Sequence, residues 1–216
     1  APRADRTTSL FTLHGDPLDA GAWREQVLLA KDVPNTAMPV DIDGDGDLDV
    51  LAAARLAQVA YILENRGIDG LGAVRVLPHP IAIDDSAMPG CTIATSAFQS
   101  AFRDMNGDGR LDLVVGVLEN CGEPRAPGGL PALGWLEQPA TLDAPWPYHR
   151  IGDIAPDMVI AVELADIDGD GDLDAITGGY SGLNILKGGY TGATREEDHP
   201  SVTASSTVGR IAWFEN

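Results

Sequence analysis

The stretch Asp41-Ile-Asp-Gly-Asp-Gly-Asp-Leu-Asp49 occurs three times in the chain with small changes. The second copy is Asp104-Met-Asn-Gly-Asp-Gly-Arg-Leu-Asp112, and the third is Asp166-Ile-Asp-Gly-Asp-Gly-Asp-Leu-Asp174. The copies begin at residues 41, 104 and 166, which gives a period of 62 to 63 residues. Because self-similarity at a fixed period is typical of repeat architectures, we expect three structural units of one kind.

Each copy has the residue types that bind a hard cation. Oxygen-bearing side chains stand at positions 1, 3, 5 and 9, and Gly at position 6 permits a sharp turn around an ion. Position 7 varies, so we expect it to bind through its backbone carbonyl. No Cys or His lies in any copy, which argues against zinc or copper. The alternative, a solvated acidic turn, would leave the clustered carboxylates repelling one another.

The sequence therefore predicts three calcium sites. The predicted ligands are Asp41, Asp43, Asp45, Asp47 and Asp49 in the first loop, Asp104, Asn106, Asp108, Arg110 and Asp112 in the second, and Asp166, Asp168, Asp170, Asp172 and Asp174 in the third. Asp47, Arg110 and Asp172 are the three that we expect to bind through the carbonyl.

The loops are not EF-hands. An EF-hand needs a bidentate Glu at position 12 and a helix after it. Position 12 is Ala52, Val115 or Thr177, and short apolar runs bounded by glycine follow each loop. Such runs are typical of strands, so each loop is predicted to join two strands. Dockerin modules are excluded for the same reason.

This pattern resembles the FG-GAP/VCBS repeat, in which the acidic loop and an apolar strand are followed by an aromatic strand. The aromatic strands here are Tyr61-Ile-Leu-Glu-Asn65, Gly134-Trp-Leu-Glu-Gln138 and Ala212-Trp-Phe-Glu-Asn216. The resemblance covers the chain from about residue 23 to its end. It implies an all-β fold of β-propeller blades, as in the integrin α-subunit head and in many secreted bacterial and fungal proteins.

In that family each blade has four strands, A to D, and the acidic loop joins A to B. Residues 1–22 are predicted to be an irregular segment and residues 23–216 to be the repeats. Trp23–Ala30 resembles the runs 74–81 and 148–154 that we assign to strand D. The predicted order is therefore D, A-B-C-D, A-B-C-D, A-B-C. The first strand would then complete the last of three blades, within the chain or in a partner chain.

Three blades are too few for a ring, because propellers have about 4–8. We expect either a homo-oligomer or further blades. The homo-oligomer could be a two-chain, six-bladed ring or a filament linked through strand edges.

The same topology implies a disulfide and a binding face. Cys91 is predicted in a D–A loop and Cys121 in a B–C loop, on one face of the blades, and in a secreted protein we expect them to be bonded. The longest B–C segment, at about residues 180–209, lies on that face, opposite the calcium loops. It carries the only residues that we would test as ligand contacts: Tyr180, Tyr190, Arg195 and His199.

Composition limits the class of partner. The 216 residues carry a formal net charge of −19, which three calcium ions would reduce to −13, so nucleic acid and anionic membranes are unfavourable partners. No run is long enough to span a bilayer. The chain begins with Ala1 and has no signal peptide, which is expected of a mature secreted or cell-surface protein.

The sequence favours a binding or assembly module over an enzyme. No phosphate loop, nucleophile elbow or metal-ligating His spacing is present. The partner of such a module could be a glycan, a matrix protein or a second copy. The alternative is a secreted polysaccharide lyase or hydrolase on the same scaffold.

Overall fold

The computed structural model describes residues 7–30, 36–54, 58–95, 97, 99–122, 129–154, 157–181 and 211–215. These residues form β-strands and one 3-10 turn, Ala20–Ala22, so the prediction of an all-β fold is confirmed. The described residues include no helix with the length and apolar character needed to cross a membrane. The strands are β1 (Thr8–Leu13), β2 (Trp23–Leu29), β3 (Thr36–Val40), β4 (Asp49–Ala54), β5 (Val59–Ile68), β6 (Val74–Pro80), β7 (Ile83–Asp84), β8 (Cys91–Thr95), β9 (Ala101–Arg103), β10 (Asp112–Cys121), β11 (Leu130–Leu136), β12 (Trp146–Asp153), β13 (Asp157–Ala165), β14 (Asp174–Ser181) and β15 (Ile211–Phe214).

The chain divides into two compact units, Ala1–Ile81 and Ala82–Asn216. The first unit contains the antiparallel sheet β3-β4-β5-β6, which we call the first blade. Its strands follow one another in the predicted order A to D, and the first acidic loop joins β3 to β4 as predicted. Strand β4 is buried along most of its length, because an inner blade strand is covered on both faces.

The first unit also contains the N-terminal hairpin, in which β1 pairs antiparallel with β2. The prediction that residues 1–22 are irregular is therefore wrong at Thr8–Leu13, which form β1. The run Thr-Ser-Leu-Phe-Thr-Leu is rich in residues that favour strands, and its pairing with β2 outweighs its polar neighbours.

Strand β2 has a different partner from the one predicted. In the described residues it pairs with β1, and it does not complete the third blade within the chain. Leu29 at its end packs with Ala52 and Leu63 of the first blade. The side chain of Gln26 accepts from the Val74 N–H (3.0 Å) and donates to the Val74 carbonyl (2.5 Å). These contacts attach the hairpin to the first blade through one of its two faces.

The second unit contains the second blade, a sheet with the order β7-β12-β11-β10-β8 in which β9 also pairs with β10. Strand A is therefore split into β8 and β9, which pair with the two ends of β10. Strands β10, β11 and β12 correspond to B, C and D, and β7 adds a short parallel pairing to β12.

The third blade, also in the second unit, has the order β13-β14-β15 in the described residues. These strands correspond to A, B and C, and the third acidic loop joins β13 to β14. The second and third blades pack face to face around a core of Val114, Leu133, Val159, Val162 and Ala175.

Glycines allow this close packing. A Cβ added at Gly116 of β10 would lie 2.6 Å from the Val159 Cβ, and one at Gly152 of β12 would lie 2.2 Å from Phe214. Gly134 is tight within the second blade itself, because its Cβ would lie 2.3 Å from the Tyr148 ring and 2.7 Å from the His149 carbonyl oxygen. Neighbouring blade faces and strands approach more closely than alanine permits.

Gly134→Ala is expected to destabilise the second unit by about 2–3 kcal/mol, because the added methyl group meets a backbone carbonyl that cannot move without shifting β12. The matched control is Gly178→Ala, since a Cβ at Gly178 of β14 meets no described residue within 4 Å. Denaturant unfolding of the two variants measures the difference. Equal midpoints for Gly134→Ala and Gly178→Ala would contradict the close approach.

Candidate metal centres

The three acidic loops share one backbone conformation. The carboxylate at position 1 accepts from the N–H groups at positions 4 and 6 in every copy, with distances of 2.9 and 3.2 Å for Asp41, 2.7 and 2.8 Å for Asp104, and 2.7 and 3.0 Å for Asp166. Both amides belong to glycines with positive φ, for example 75° at Gly44 and 94° at Gly46. Sequence reasoning singled out position 6 alone, although Gly at position 4 of every copy was the visible signal.

The carboxylate at position 9 is buried and joins the loop to the blade. Asp49, Asp112 and Asp174 each begin a B strand, and each accepts from the N–H at position 2 of its own loop at 2.8 to 2.9 Å. The second oxygen of Asp49 accepts from the Asn65 N–H at 2.7 Å, and that of Asp112 from the Gln138 N–H at 2.9 Å. Position 9 therefore fixes the acidic loop to strand C as well as to strand B.

The pKa values of the carboxyls are shifted in opposite directions at position 9 of the first two loops, which is buried, and at position 1 of the second loop, which is less buried. Burial raises the pKa of Asp49 and of Asp112, although the two backbone N–H groups that each accepts act in the opposite direction. At position 1 of the second loop, the N–H of Gly109, supported by those of Gly107 and Asp108, lowers the pKa of Asp104. A cation beside either carboxylate would favour its ionised form.

The side chains at positions 3 and 5 are exposed and stabilise the turn locally. Asp43 accepts from the Asp45 N–H at 3.2 Å, and Asp45 accepts from the Asp47 N–H at 3.0 Å. In the first loop, carboxylate oxygens of Asp41, Asp43 and Asp45 all lie within 4.8 Å of one another. In the third loop the same is true of Asp166, Asp168 and Asp174. Both groups are all-oxygen donor sets of the kind that Ca²⁺ prefers.

Asp47 at position 7 gives a further test of fit to a cation. Its Oδ1 is buried and has no hydrogen-bond partner among the described residues. Loss of solvent around the carboxylate raises the pKa of Asp47, and the negative charges of Asp45, Asp43 and Asp41 raise it further. A divalent cation would remove this repulsion, so the residues present fit the ion. The assignment of the position-7 carbonyl as a ligand stays a prediction.

The second loop has a different charge distribution. Residues 104–112 carry a formal charge of −2, against −5 in each of the other loops. The Arg110 guanidinium forms an ion pair with Asp108, and its Nε donates to the Gln138 carbonyl at 2.9 Å. Part of the carboxylate repulsion is therefore offset by a side chain of the loop itself.

The predicted disulfide is confirmed, and its position is slightly different. Cys91 and Cys121 are bonded, with their Cα atoms 4.1 Å apart. They are directly paired residues at the ends of β8 and β10 and do not lie in loops. Because β10 begins at Asp112, the disulfide and the second acidic loop are at opposite ends of one strand, about 30 Å apart.

The structure describes one of the four predicted ligand contacts. Tyr180 lies in β14, where its backbone pairs with Met158. Tyr190, Arg195 and His199 lie outside the described residues.

Sequence reasoning missed two groups of paired side chains. His79 of β6 contacts Glu64 of β5 (Nε2 to Oε2, 2.7 Å), and in the second blade His149 contacts Glu137 at 3.0 Å. The signal was a Glu in each aromatic strand with a His in the strand that follows, and these pairs hold strands C and D together.

The second group consists of Glu119, which accepts from the Tyr148 hydroxyl (2.7 Å) and Arg150 Nε (2.9 Å). Its members are about 30 residues apart, so no local pattern identified them.

A comparison with protein families agrees with this geometry. The model of the FG-GAP-like repeat matches residues 41–115 and 104–177, which together are more than half of the chain. No curated protein and no solved structure matches the chain. FG-GAP repeats commonly bind calcium and suggest a β-propeller-like binding module, and together with the Cys91–Cys121 disulfide they fit an extracellular protein. The chain belongs to the FG-GAP-like repeat family.

Proposed function

We propose that the protein is a secreted binding module whose propeller-type blades are stabilised by calcium, and that its partner is an extracellular glycan or protein. The observation that carries the proposal is the convergence of carboxylate oxygens from Asp41, Asp43 and Asp45 within 4.8 Å, which the third loop repeats. Calcium bound there would offset the repulsion of these groups and hold the A–B turn. The role of the ion is structural, since each loop ends in a buried Asp that is part of a blade.

The surface available for a partner lies at the other end of the strands. In the second blade the calcium loop precedes β10, whereas the disulfide and the β10–β11 connection follow it. The B–C connections at that end differ in length from blade to blade, and loops of this kind commonly carry binding residues. The partner-binding residues are therefore expected among the B–C and D–A connections and not in the acidic loops.

A catalytic role receives no support from Tyr148, which shares Glu119 with Arg150. Burial, followed by its hydrogen bond to Glu119, raises the Tyr148 pKa well above its usual range. A phenol of this kind cannot serve as a general base near neutral pH. We propose binding without catalysis.

Calcium titration followed by native mass spectrometry tests the metal part of the proposal. The wild-type chain is expected to bind three ions, and Asp43→Asn/Asp45→Asn should lose one, since both amides retain the local hydrogen bonds but remove two charges. The control is Asp69→Asn, in a turn outside the three loops where Asp69 accepts from the Leu71 and Ala73 amides. The control should retain all three ions. A wild-type chain that binds none would overturn the proposal. A glycan array with and without calcium tests the partner.

Arg110→Asp is expected to strengthen calcium binding at the second loop by about ten-fold, because calcium affinity rises with the charge of the ligand set. The substitution raises the formal charge of that loop from −2 to −4 and removes the ion pair to Asp108. Isothermal titration measures the change. The conservative variant Arg110→Lys keeps the charge and should leave the affinity close to that of the wild type. Equal affinities for Arg110→Asp and Arg110→Lys would contradict the electrostatic argument.

A further inference from the structure

Blades in this chain pack through two different faces, and the second and third blades show which side chains each face uses. The second blade presents Trp135 of β11 and Met105 of its acidic loop to the third blade. The third blade receives them with a core that contains Val159 and Val162. We call the face that presents the aromatic side chain and position 2 of the loop the forward face, and the receiving face the rear face.

The same forward-face positions can be compared in all three blades. In the first blade they are Ile62 and Ile42, which are 0% and 3% exposed. In the third blade they are Trp213 and Ile167, which are 50% and 47% exposed. The neighbouring Phe214 points the other way, since its ring contacts Gly152 of the second blade. Two apolar side chains on the forward face of the third blade are thus about half exposed.

The N-terminal hairpin has an exposed apolar face of the opposite kind, a rear face. Its Leu29 packs on the rear face of the first blade beside Leu63, the residue that corresponds to Phe214. The hairpin therefore occupies the position of a preceding blade, with β1 and β2 as its C and D strands. A bulge between Thr8 and Ser9 turns the rest of the hairpin so that a second apolar set faces away from the first blade. This outer set is Phe11, Leu13, Trp23 and Val27, each 40–57% exposed.

Both surfaces thus expose apolar side chains, one on a forward face and one on a rear face. Exposed apolar surface of this kind marks an interaction site. The occupant that each surface fits is the other one, because forward-to-rear packing is the contact that joins the second and third blades. A second copy of the chain can supply the missing contact at each surface, because every copy carries one surface of each kind.

We infer that the protein self-associates head to tail, with the forward face of the third blade of one copy (Trp213 and Ile167) packed on the outer face of the N-terminal hairpin of the next (Phe11, Leu13, Trp23 and Val27). Such a contact joins unlike surfaces, so it leads to closed rings or open filaments and not to a two-fold dimer. The inference does not depend on the identity of the proposed glycan or protein partner.

Sedimentation velocity of the calcium-loaded protein over a range of concentrations tests the inference. The wild type is expected to form species larger than its 22.7 kDa chain mass. Phe11→Ser and Trp213→Ser should each remove these species, since one surface of every contact is then polar. Both residues are about half exposed, so the fold should tolerate the changes, and thermal melting checks this directly. The control is Leu71→Ser, which changes a 95% exposed Leu on neither surface and should associate as the wild type does.

Mixing the two variants gives the decisive result. Phe11→Ser retains an intact third blade and Trp213→Ser retains an intact hairpin, so an equimolar mixture should form a species of twice the chain mass and nothing larger. A mixture that stays monomeric would overturn the pairing of these two surfaces. A wild type that remains at 22.7 kDa at all concentrations, or a Leu71→Ser variant that also fails to associate, would overturn the inference as well.

Discussion

Removal of calcium with a chelator is expected to lower the melting temperature by about 10–30 °C. At a calcium concentration of 10 to 100 times Kd, each site would contribute about 1.4–2.7 kcal/mol by binding only the folded state. Three sites would then contribute about 4–8 kcal/mol in total, and 1 kcal/mol corresponds to about 2–4 °C for a protein of this size. The expected loss is large because the ion-free loops keep a formal charge of −5, −2 and −5 within nine residues each.

Differential scanning calorimetry measures this effect with a simple control. The chelator should have no effect when calcium is present in excess over it, and the original melt should return when calcium is added back. Magnesium should restore less stability, because it requires near-ideal octahedral geometry and retains its waters. A melting temperature that is the same with and without chelator would contradict the proposal that calcium stabilises the blades.

Loss of the disulfide is expected to destabilise the second unit by about 3.5 kcal/mol, or about 10 °C in melting temperature. The bond links residues 30 apart, and the segment it encloses contains β8, β9, the second acidic loop and most of β10. Without the bond, all of this segment becomes free in the unfolded chain. Folding must then order this 30-residue segment from an unconstrained chain. The additional entropy lost in doing so is the stability that the disulfide contributes.

The double variant Cys91→Ser/Cys121→Ser tests this prediction in denaturant. A reductant should lower the unfolding midpoint of the wild type to that of the double variant and should not affect the double variant itself. The single variant Cys91→Ser is expected to behave like the double variant in reductant. A double variant as stable as the oxidised wild type would contradict the expected contribution of the bond.

The acidic loops and the strands that follow them could be predicted from local sequence, and the arrangement of the strands in blades from the resemblance to the FG-GAP/VCBS repeat. The nine-residue loop contains all of its predicted calcium ligands, and the strand after it is apolar enough to be recognised. The register of the first blade also follows, since Val40 and Asp49 pair at the two ends of one loop. Even the disulfide follows from topology, because strands A and B are neighbours in any such blade.

The N-terminal hairpin could not be predicted in the same way. Trp23–Leu29 does resemble strand D, but its partner depends on which strand reaches it, and β1 is close by in sequence. The pairing of β1 and β2 by a short connection costs less entropy than a return of β2 to the far end of the chain. The resemblance identified the type of strand and predicted a place for it in the third blade, within the chain or in a partner chain, whereas in the described residues β2 pairs with β1.

Contacts between the second and third blades could not be predicted from the sequence either. The close approach of Gly152 to Phe214 involves residues 62 apart, and neither residue has a local pattern that predicts the contact. The Arg110 ion pair was missed for another reason. Position 7 was considered only for its backbone carbonyl, so the charge of its side chain was not used.

The position-9 carboxylate has a consequence for the order of events during synthesis. Asp49 needs only the amides of Ile42 and Asn65, which are 7 and 16 residues away, and Asp112 needs amides 7 and 26 residues away. A loop therefore has all of its protein partners as soon as the strand C of the same blade has emerged from the ribosome. Because local contacts form faster than distant ones, each blade can close before the next has been made. The chain is thus suited to fold from its N-terminus in steps of about one repeat.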